Sequence, residues 1–251
     1  MDSMFVESLS VEASLAEVDE WPFTVPCVAA LARDGLTLRS PVTFLVGENG
    51  SGKSTMVEGI AEAFGLDARG GKAGRKYVND RAKTPLGVAL RLGLTREGIR
   101  MRGGPRTRKK GYFLRAETTF GFAEAISGLP GYWSEDLSAI SHGEGFLTIF
   151  QSMFRDPGLY LMDEPEAALS FTSCLRLVAL MHELGRDGAQ VICATHSPIL
   201  ASTPDADIIE VGDFGFRRSR WSDLAIVDHW RRYLGEPGAY LRHFIESSTG
   251  D

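Results

Sequence analysis

Short apolar runs alternate with helical patterns along most of this chain. Four runs of largely apolar residues predict buried parallel strands, at residues 41–46, 112–116, 159–162 and 190–194. Residues 56–64 and 167–184 carry apolar side chains at helical spacing, and Gly65 is a natural stop for the first helix. Such alternation favours an α/β fold with a mostly parallel sheet, whose ligand lies at the carboxyl ends of the strands.

Weaker patterns predict the remaining elements. Residues 23–26 and 36–38 alternate enough to form edge strands around an Asp34-Gly35 turn, and residues 88–94 and 98–102 resemble a hairpin. Residues 119–140 are expected to form a helix and a loop, and 224–234 and 239–245 two amphipathic helices. We expect one domain over residues 1–251. Its core would be about 20–64 and 145–212, its inserted lobe about 65–144 and its C-terminal helices about 222–248.

Charge is unevenly distributed along the chain. The net charge of the whole chain is −6, yet residues 69–115 contain fifteen Lys or Arg against two acidic residues, a net charge of +13. This basic segment predicts a polyanion such as nucleic acid, or an acidic protein, as a partner. The alternative is a solvated lobe whose charge serves solubility, nucleotide phosphates or a subunit contact.

Composition limits the compartment and the kind of protein. No apolar stretch approaches the roughly 20 residues that cross a bilayer, and the acidic N-terminus lacks the features of a secretory signal. Three widely spaced cysteines indicate buried free thiols rather than disulfides or a zinc site. We therefore expect a cytoplasmic protein without a transmembrane segment of its own.

The most informative motif follows the first predicted parallel strand. It matches Gly-x-x-x-x-Gly-Lys-Ser/Thr and comprises Gly47, Glu48, Asn49, Gly50, Ser51, Gly52, Lys53, Ser54 and Thr55. Between a strand and a helix, such a loop cradles phosphates with its backbone N–H groups and the helix N-terminus. We expect Lys53 to reach the β- and γ-phosphates and the Ser54 hydroxyl to bind Mg²⁺.

Two further strand ends carry candidate catalytic residues. Asp163 and Glu164 follow a buried strand, where one carboxylate can hold a metal and the next can act as general base on water. The alternative is an acidic pair that caps the next helix. His196 follows another strand, where it could reach a γ-phosphate or the attacking water, although a lone histidine is more often structural.

A second phosphate-binding helix start is also visible. Ser141 and Glu144 form a capping box before an apolar helix pattern, which accounts for both residues structurally. A serine and the amide of Gly143 at an exposed helix N-terminus also suit a phosphate. Because the chain already has one phosphate loop, this site would serve another nucleotide or another subunit.

The order of these motifs resembles ATP-binding-cassette (ABC) ATPases, most closely small stand-alone bacterial predicted ATPases related to the RecF, Rad50 and SMC branch. The resemblance implies a P-loop NTPase fold with an antiparallel β subdomain and a reduced helical lobe. It also implies ATP and Mg²⁺ as cofactors, and an ATP-dependent homodimer with two nucleotides at its interface. Each nucleotide would lie on residues 47–55 of one subunit and under Ser141, Gly143 and Glu144 of the other. In this resemblance Asp163 is a magnesium ligand, Glu164 the catalytic base and His196 the switch histidine.

The sequence departs from that family at several positions. His142 replaces a glycine of the signature motif, and Ser170 stands where transport ATPases carry aspartate. The family's glutamine between the phosphate loop and the signature is missing, and Arg115 or Glu117 is a candidate substitute. These departures disfavour the alternative of a transporter's nucleotide-binding subunit, and Glu164 and His196 disfavour a non-catalytic nucleotide sensor. The adenine base has no clear motif, although Trp21 or Phe23 could stack on it if not packed in the core.

Overall fold

The computed structural model describes residues 4–16, 19–68, 70–72, 82–104, 111–115 and 157–245. The strands in these residues are β1 Val6–Val11, β2 Leu36–Thr37, β3 Val42–Val46, β4 Gly71–Lys72, β5 Leu90–Leu94, β6 Gly111–Arg115, β7 Leu159–Asp163, β8 Gln190–Thr195, β9 Asp207–Gly212 and β10 Gly215–Arg218. The helices are α1 Pro26–Asp34, α2 Lys53–Phe64, α3 Pro85–Ala89, α4 Arg96–Gly103, α5 Phe171–Arg186, α6 Ala225–Gly235 and α7 Pro237–Ile245.

A seven-stranded sheet in the order β10-β9-β3-β8-β7-β6-β4 forms the centre of the described fold. Strands β9, β3, β8, β7 and β6 run parallel, and β10 and β4 pair antiparallel at the two edges. Every residue of β3, β7 and β8 is buried. The four apolar runs therefore become neighbouring parallel strands, as the sequence predicts, and their carboxyl ends meet at one edge.

Two hydrophobic clusters cover the faces of this sheet. On one face α1 and α2 pack with a three-stranded antiparallel sheet in the order β2-β1-β5, and on the other α5 packs with residues at the start of α6. The antiparallel sheet confirms the predicted β subdomain. The three cysteines are all buried and free.

Two predictions for the N-terminal half are wrong. Residues 23–26 are not a strand, because Pro26 occupies the first turn of α1. That helix ends before Gly35, which has a φ angle of 65°. The strand that pairs with β2 is β1 instead, and it lies at the centre of the three-stranded sheet.

The expected hairpin of residues 88–94 and 98–102 does not form. The Thr95 hydroxyl accepts a hydrogen bond from the backbone N–H of Gly98 and so starts α4, while β5 pairs with β1.

The later elements follow their predictions more closely. Helix α5 begins at Phe171 rather than 167, because residues 165–168 form a 3-10 turn, and the two C-terminal helices are present as α6 and α7. The predicted helical lobe at 119–140 lies outside the described residues. No helix in the described ranges is both long and apolar enough to cross a membrane.

One buried side chain joins the two sheets. Gln190, at the start of β8, is fully buried, and its Oε1 accepts from the backbone N–H groups of Phe5 and Val6, each at 2.8 Å. Its Nε2 donates to the Val6 carbonyl at 2.7 Å. The amide thus satisfies three backbone groups that water cannot reach.

We expect Gln190→Leu to lower the free energy of unfolding by about 2–4 kcal/mol, since it leaves those three groups without a partner. Urea unfolding measures the effect. The control Ser202→Ala removes an exposed hydrogen bond to the Ile199 carbonyl, which water replaces, and should cost under about 0.5 kcal/mol. A Gln190→Leu chain as stable as the wild type would contradict this role.

Candidate active site

The phosphate-loop motif links β3 to α2 and has the backbone geometry that its glycines allow. Gly50 and Gly52 have φ angles of 82° and 94°, in the left-handed region that side chains rarely adopt. A methyl group at Gly47 would lie 2.2 Å from the Val211 carbonyl oxygen, and one at Gly52 2.5 Å from Cys27 Sγ. The loop therefore needs glycine for both its curvature and its close packing.

Lys53 begins α2 and is almost fully buried, with 3% of its surface exposed. Its Nζ donates to the Glu48 carbonyl at 2.7 Å and lies 3.9 Å from Glu164 Oε1. Burial lowers the pKa of Lys53, and the carboxylates of Glu164, Asp163 and Glu166 oppose that shift. The loop thus holds a cation close to backbone N–H groups, an arrangement suited to phosphates.

The two predicted magnesium ligands meet beside this lysine. The Ser54 hydroxyl donates to Asp163 Oδ1 at 2.9 Å, across 109 positions of sequence. Burial raises the pKa of Asp163, while the Ser54 hydrogen bond and the charge of Arg115 oppose that rise. A hydroxyl and a carboxylate are ligands that Mg²⁺ accepts together with water and phosphate oxygens. Within the described ranges, no cluster of three or more His, Cys, Asp or Glu could hold a metal by itself.

Arg115 ends β6 at the same edge of the sheet. Its Nη1 lies 2.6 Å from Glu58 Oε1, and its Nε lies 3.7 Å from Asp163 Oδ2. The sequence offered Arg115 as a substitute for the missing glutamine, and its side chain does lie next to the candidate metal ligand. Glu117, the other candidate, lies outside the described residues.

Glu164 has an unusual backbone conformation for a residue with a side chain. Its φ and ψ angles are 48° and 50°, in the left-handed region, at a cost on the order of 1–3 kcal/mol. Its backbone N–H donates to the Ala194 carbonyl at 2.9 Å, which fixes the turn against β8. Its carboxylate remains partly exposed and lies 3.5 Å from His196 Nδ1. This strained conformation places the carboxylate between Lys53 and His196.

Glu166 is a site residue that the sequence analysis missed. Its buried Oε1 accepts from the Thr195 hydroxyl at 2.5 Å and from the His196 backbone N–H at 2.9 Å, and lies 3.5 Å from His196 Nδ1. Its Oε2 is buried without a hydrogen-bond partner among the described residues. The side chain therefore holds the residues that follow β8. Its only sequence signal is a second acid two positions after Glu164.

The remaining predicted residues fall into three groups. Asn49, Ser51 and Thr55 lie in the loop or the first turn of α2, where Thr55 is half-buried. Ser141, Gly143 and Glu144 lie outside the described residues. Of the two candidates for stacking on the adenine ring, Phe23 is buried in the core, whereas Trp21 has 62% of its surface exposed.

Comparisons with known proteins identify the family of this chain. The model of a family described as "AAA domain, putative AbiEii toxin, Type IV TA system" matches residues 141–202. An aliphatic sulfonates import ATP-binding protein of Mesorhizobium japonicum is 30% identical over 230 residues, which cover 84% of both chains. The chain belongs to the ABC ATPase family. Its ABC-type fold, ATP-binding function and assignment as an ATPase follow from that membership.

Two other matches place this ABC ATPase among its relatives. An Fe(3+) ions import ATP-binding protein of Streptomyces coelicolor is 31% identical over 170 residues, 62% of this chain but only 47% of that protein. An SMC head solved with the C-winged helix domain of ScpA has a TM-score of 0.51 at 15% identity, covering 86% of this chain and 98% of that one. The second match concerns the fold alone.

We expect Glu166→Ala to lower kcat for ATP hydrolysis about tenfold to a hundredfold while KM changes less than about threefold, because it releases the turn that carries His196. Steady-state phosphate release measures both constants. Glu166→Gln keeps an acceptor oxygen for Thr195 and His196 and should restore most of kcat. Equal losses in both variants, or wild-type kcat in Glu166→Ala, would contradict this positioning role.

Proposed function

We propose that this ABC ATPase binds Mg-ATP on residues 47–55 and hydrolyses it with Glu164 as general base. The observation that carries the proposal is the convergence of Lys53, Ser54, Asp163, Glu164 and His196 at the carboxyl ends of β3, β7 and β8. In parallel α/β sheets this edge is where ligands bind. The residues are of the types that phosphoryl transfer requires.

The triphosphate would lie along the loop with its γ-phosphate towards Glu164 and His196. Lys53 would release part of its contact with the Glu48 carbonyl and bind the β- and γ-phosphate oxygens. Ser54 and Asp163 would hold Mg²⁺, whose charge reduces the repulsion between the phosphates and the attacking water. These two ligands suit Mg²⁺, because both are oxygen atoms and they lie 2.9 Å apart.

The chemical step needs one proton acceptor and one γ-phosphate contact. Glu164 would accept a proton from water as the water oxygen bonds to the γ-phosphorus and the bond to the bridging oxygen breaks, which yields ADP and phosphate. His196 turns Nδ1 towards Glu164 and Glu166. Its Nε2 is therefore the nitrogen that we assign to the γ-phosphate.

A second copy of the chain would complete the site. The side chains of Glu164 and His196 are 29% and 41% exposed in the single chain, so water has open access to the catalytic pair. Phosphoryl transfer is favoured where bulk water is excluded. We propose that Ser141, Gly143 and Glu144 of a partner subunit cover the γ-phosphate, which makes the active form an ATP-dependent homodimer.

The basic segment supports nucleic acid as the partner of this switch. Within its described part, α4 exposes Arg96, Arg100 and Arg102, and the spacing of Arg96 and Arg100 places both on one helix face. Salt-sensitive DNA binding that weakens on charge reversal at these positions would support this role. Binding that is indifferent to salt and to the reversal would contradict it.

A transporter's nucleotide-binding subunit is the second candidate, favoured by the likeness to import ATP-binding proteins. His142 and Ser170 depart from the pattern of that class. Recovery of the chain in a stoichiometric complex with a membrane-spanning protein would support this candidate over a nucleic-acid partner. Purification of the chain without any membrane-spanning protein bound to it would count against the transporter candidate.

We expect Glu164→Gln to lower turnover at least about a hundredfold, because it removes the proton acceptor but keeps the shape of the side chain. The same variant should form a dimer in Mg-ATP and remain monomeric in ADP. Phosphate release and sedimentation in each nucleotide measure the two effects. The control Glu183→Gln, on the exposed face of α5, should match the wild type.

Three outcomes would overturn parts of this proposal. Unchanged turnover in Glu164→Gln would remove Glu164 from the base role. If Glu164→Gln binds ATP without dimerising, the proposed two-subunit site is wrong, although nucleotide binding by the single chain still stands. No phosphate release from the wild type under any condition would favour a nucleotide sensor.

A further inference from the structure

A cleft of about 810 Å³ borders the phosphate loop on its β9 side, a size within the range of small-ligand sites. Strand β3 lies between β8 and β9, so this side is opposite to the one that carries Glu164 and His196. Among the described residues, the lining includes Gly47 to Ser51 of the loop but none of Lys53, Ser54, Asp163, Glu164 or His196. The cleft is thus adjacent to the catalytic groups without containing them.

Aromatic rings form the wall that faces the loop. They belong to Phe214 after β9 and to His229, Trp230, Tyr233 and Tyr240 of α6 and α7, and we call this space the aromatic cleft. Trp230 and Tyr233 meet edge to face with ring centroids 6.4 Å apart, and Tyr233 and Tyr240 likewise at 6.0 Å. His229 Nδ1 lies 3.1 Å from the Tyr240 hydroxyl.

The rings hold one another in place and yet remain accessible. Trp230 and Tyr233 have 47% and 37% of their surface exposed, and Val227 is the only buried residue of α6. An edge-to-face contact covers one face of only one of its two rings, so Trp230 and Tyr233 do not stack face to face on each other and other ring faces stay available to a flat partner. Helix α6 therefore presents aromatic faces beside a phosphate-binding loop.

The charge of the lining limits what can occupy the cleft. Among its described members are Glu48, Glu210 and Asp213, and no Lys or Arg. Arg217 lies outside this lining, where it pairs with Glu210 at 2.7 Å and packs over the Phe214 ring, so Glu48 and Asp213 set the charge of the wall. A nucleic-acid backbone or an acidic peptide would bring negative charge to an acidic wall, which is unfavourable. A neutral, flat group attached to phosphates fits both the rings and the loop.

We propose that the aromatic cleft binds the purine base of ATP. This inference rests on the proposed function, in which the γ-phosphate faces Glu164 and His196. The nucleoside, at the other end of the triphosphate, must then lie on a different side of the phosphate loop. The β9 side is open, aromatic and continuous with the loop. Base recognition would therefore depend on the C-terminal helices rather than on Trp21 before α1.

The test compares Mg-ATP with Mg-tripolyphosphate, which has the phosphate chain but no base. Isothermal titration of the full chain with each probe should show tighter binding of ATP. In the double variant Trp230→Ala/Tyr233→Ala, ATP affinity should fall at least about tenfold, a change of about 1.4 kcal/mol, because the base loses its stacking partners. Tripolyphosphate affinity should stay within about twofold.

Three variants serve as controls. Leu234→Ala removes a 68% exposed apolar side chain from the same helix but outside the cleft, and it should leave both affinities unchanged. Trp230→Phe/Tyr233→Phe keeps two ring faces and should restore most of the ATP preference even if the alanine pair unfolds α6. Trp21→Ala should have no effect on either probe.

The outcomes separate this inference from the proposed function. If Trp21→Ala loses the preference for ATP over tripolyphosphate and the double variant keeps it, the base binds near Trp21 and the inference is overturned. The inference is also overturned if the double variant loses affinity for ATP and for tripolyphosphate equally and the phenylalanine pair regains neither affinity. If the wild type binds neither probe, the proposed function itself fails.

Discussion

The buried charge of Lys53 is the constraint on which the rest of the site depends. Its ammonium group, removed from water, rests on the Glu48 carbonyl and faces the carboxylates of Glu164, Asp163 and Glu166. Burial favours the neutral lysine and the nearby anions favour the charged one. An isolated buried charge is costly, so the nearby carbonyl and carboxylates stabilise the lysine. We propose that a triphosphate offers the lysine a better partner than a single carbonyl.

The fold brings these charges together through parallel strands and a strained turn. Strands β3, β7 and β8 end at one edge, which sets Ser54 beside Asp163 and His196 beside Glu164. The left-handed conformation of Glu164 and the buried contacts of Glu166 fix the turn after β7 against the turn after β8. The relative positions of the candidate site residues are thus set by the register of the sheet and by two backbone turns.

Local patterns were sufficient for the buried parallel strands and for the position of the phosphate-loop motif between β3 and α2, whereas the roles of the candidate site residues stay predictions. Apolar runs predict buried strands, and glycines at fixed spacing predict the phosphate loop. Long-range contacts were not predictable in this way. Gln190 acts on residues 184 and 185 positions away, and Glu166 gains its role only because Thr195 lies beside it in the fold. The α6 pattern indicated an amphipathic helix, but not that its aromatic side would line a cleft.

Calorimetric titration of the chain with ATP in the presence of Mg²⁺ tests the central claim most directly, with Lys53→Met as the comparison. The account predicts one ATP per chain for the wild type and at least a hundredfold weaker binding for Lys53→Met, whose unbranched side chain is one atom shorter and carries no charge. A wild-type chain that gives no binding heat at saturating nucleotide, or a Lys53→Met chain that binds equally well, would contradict it.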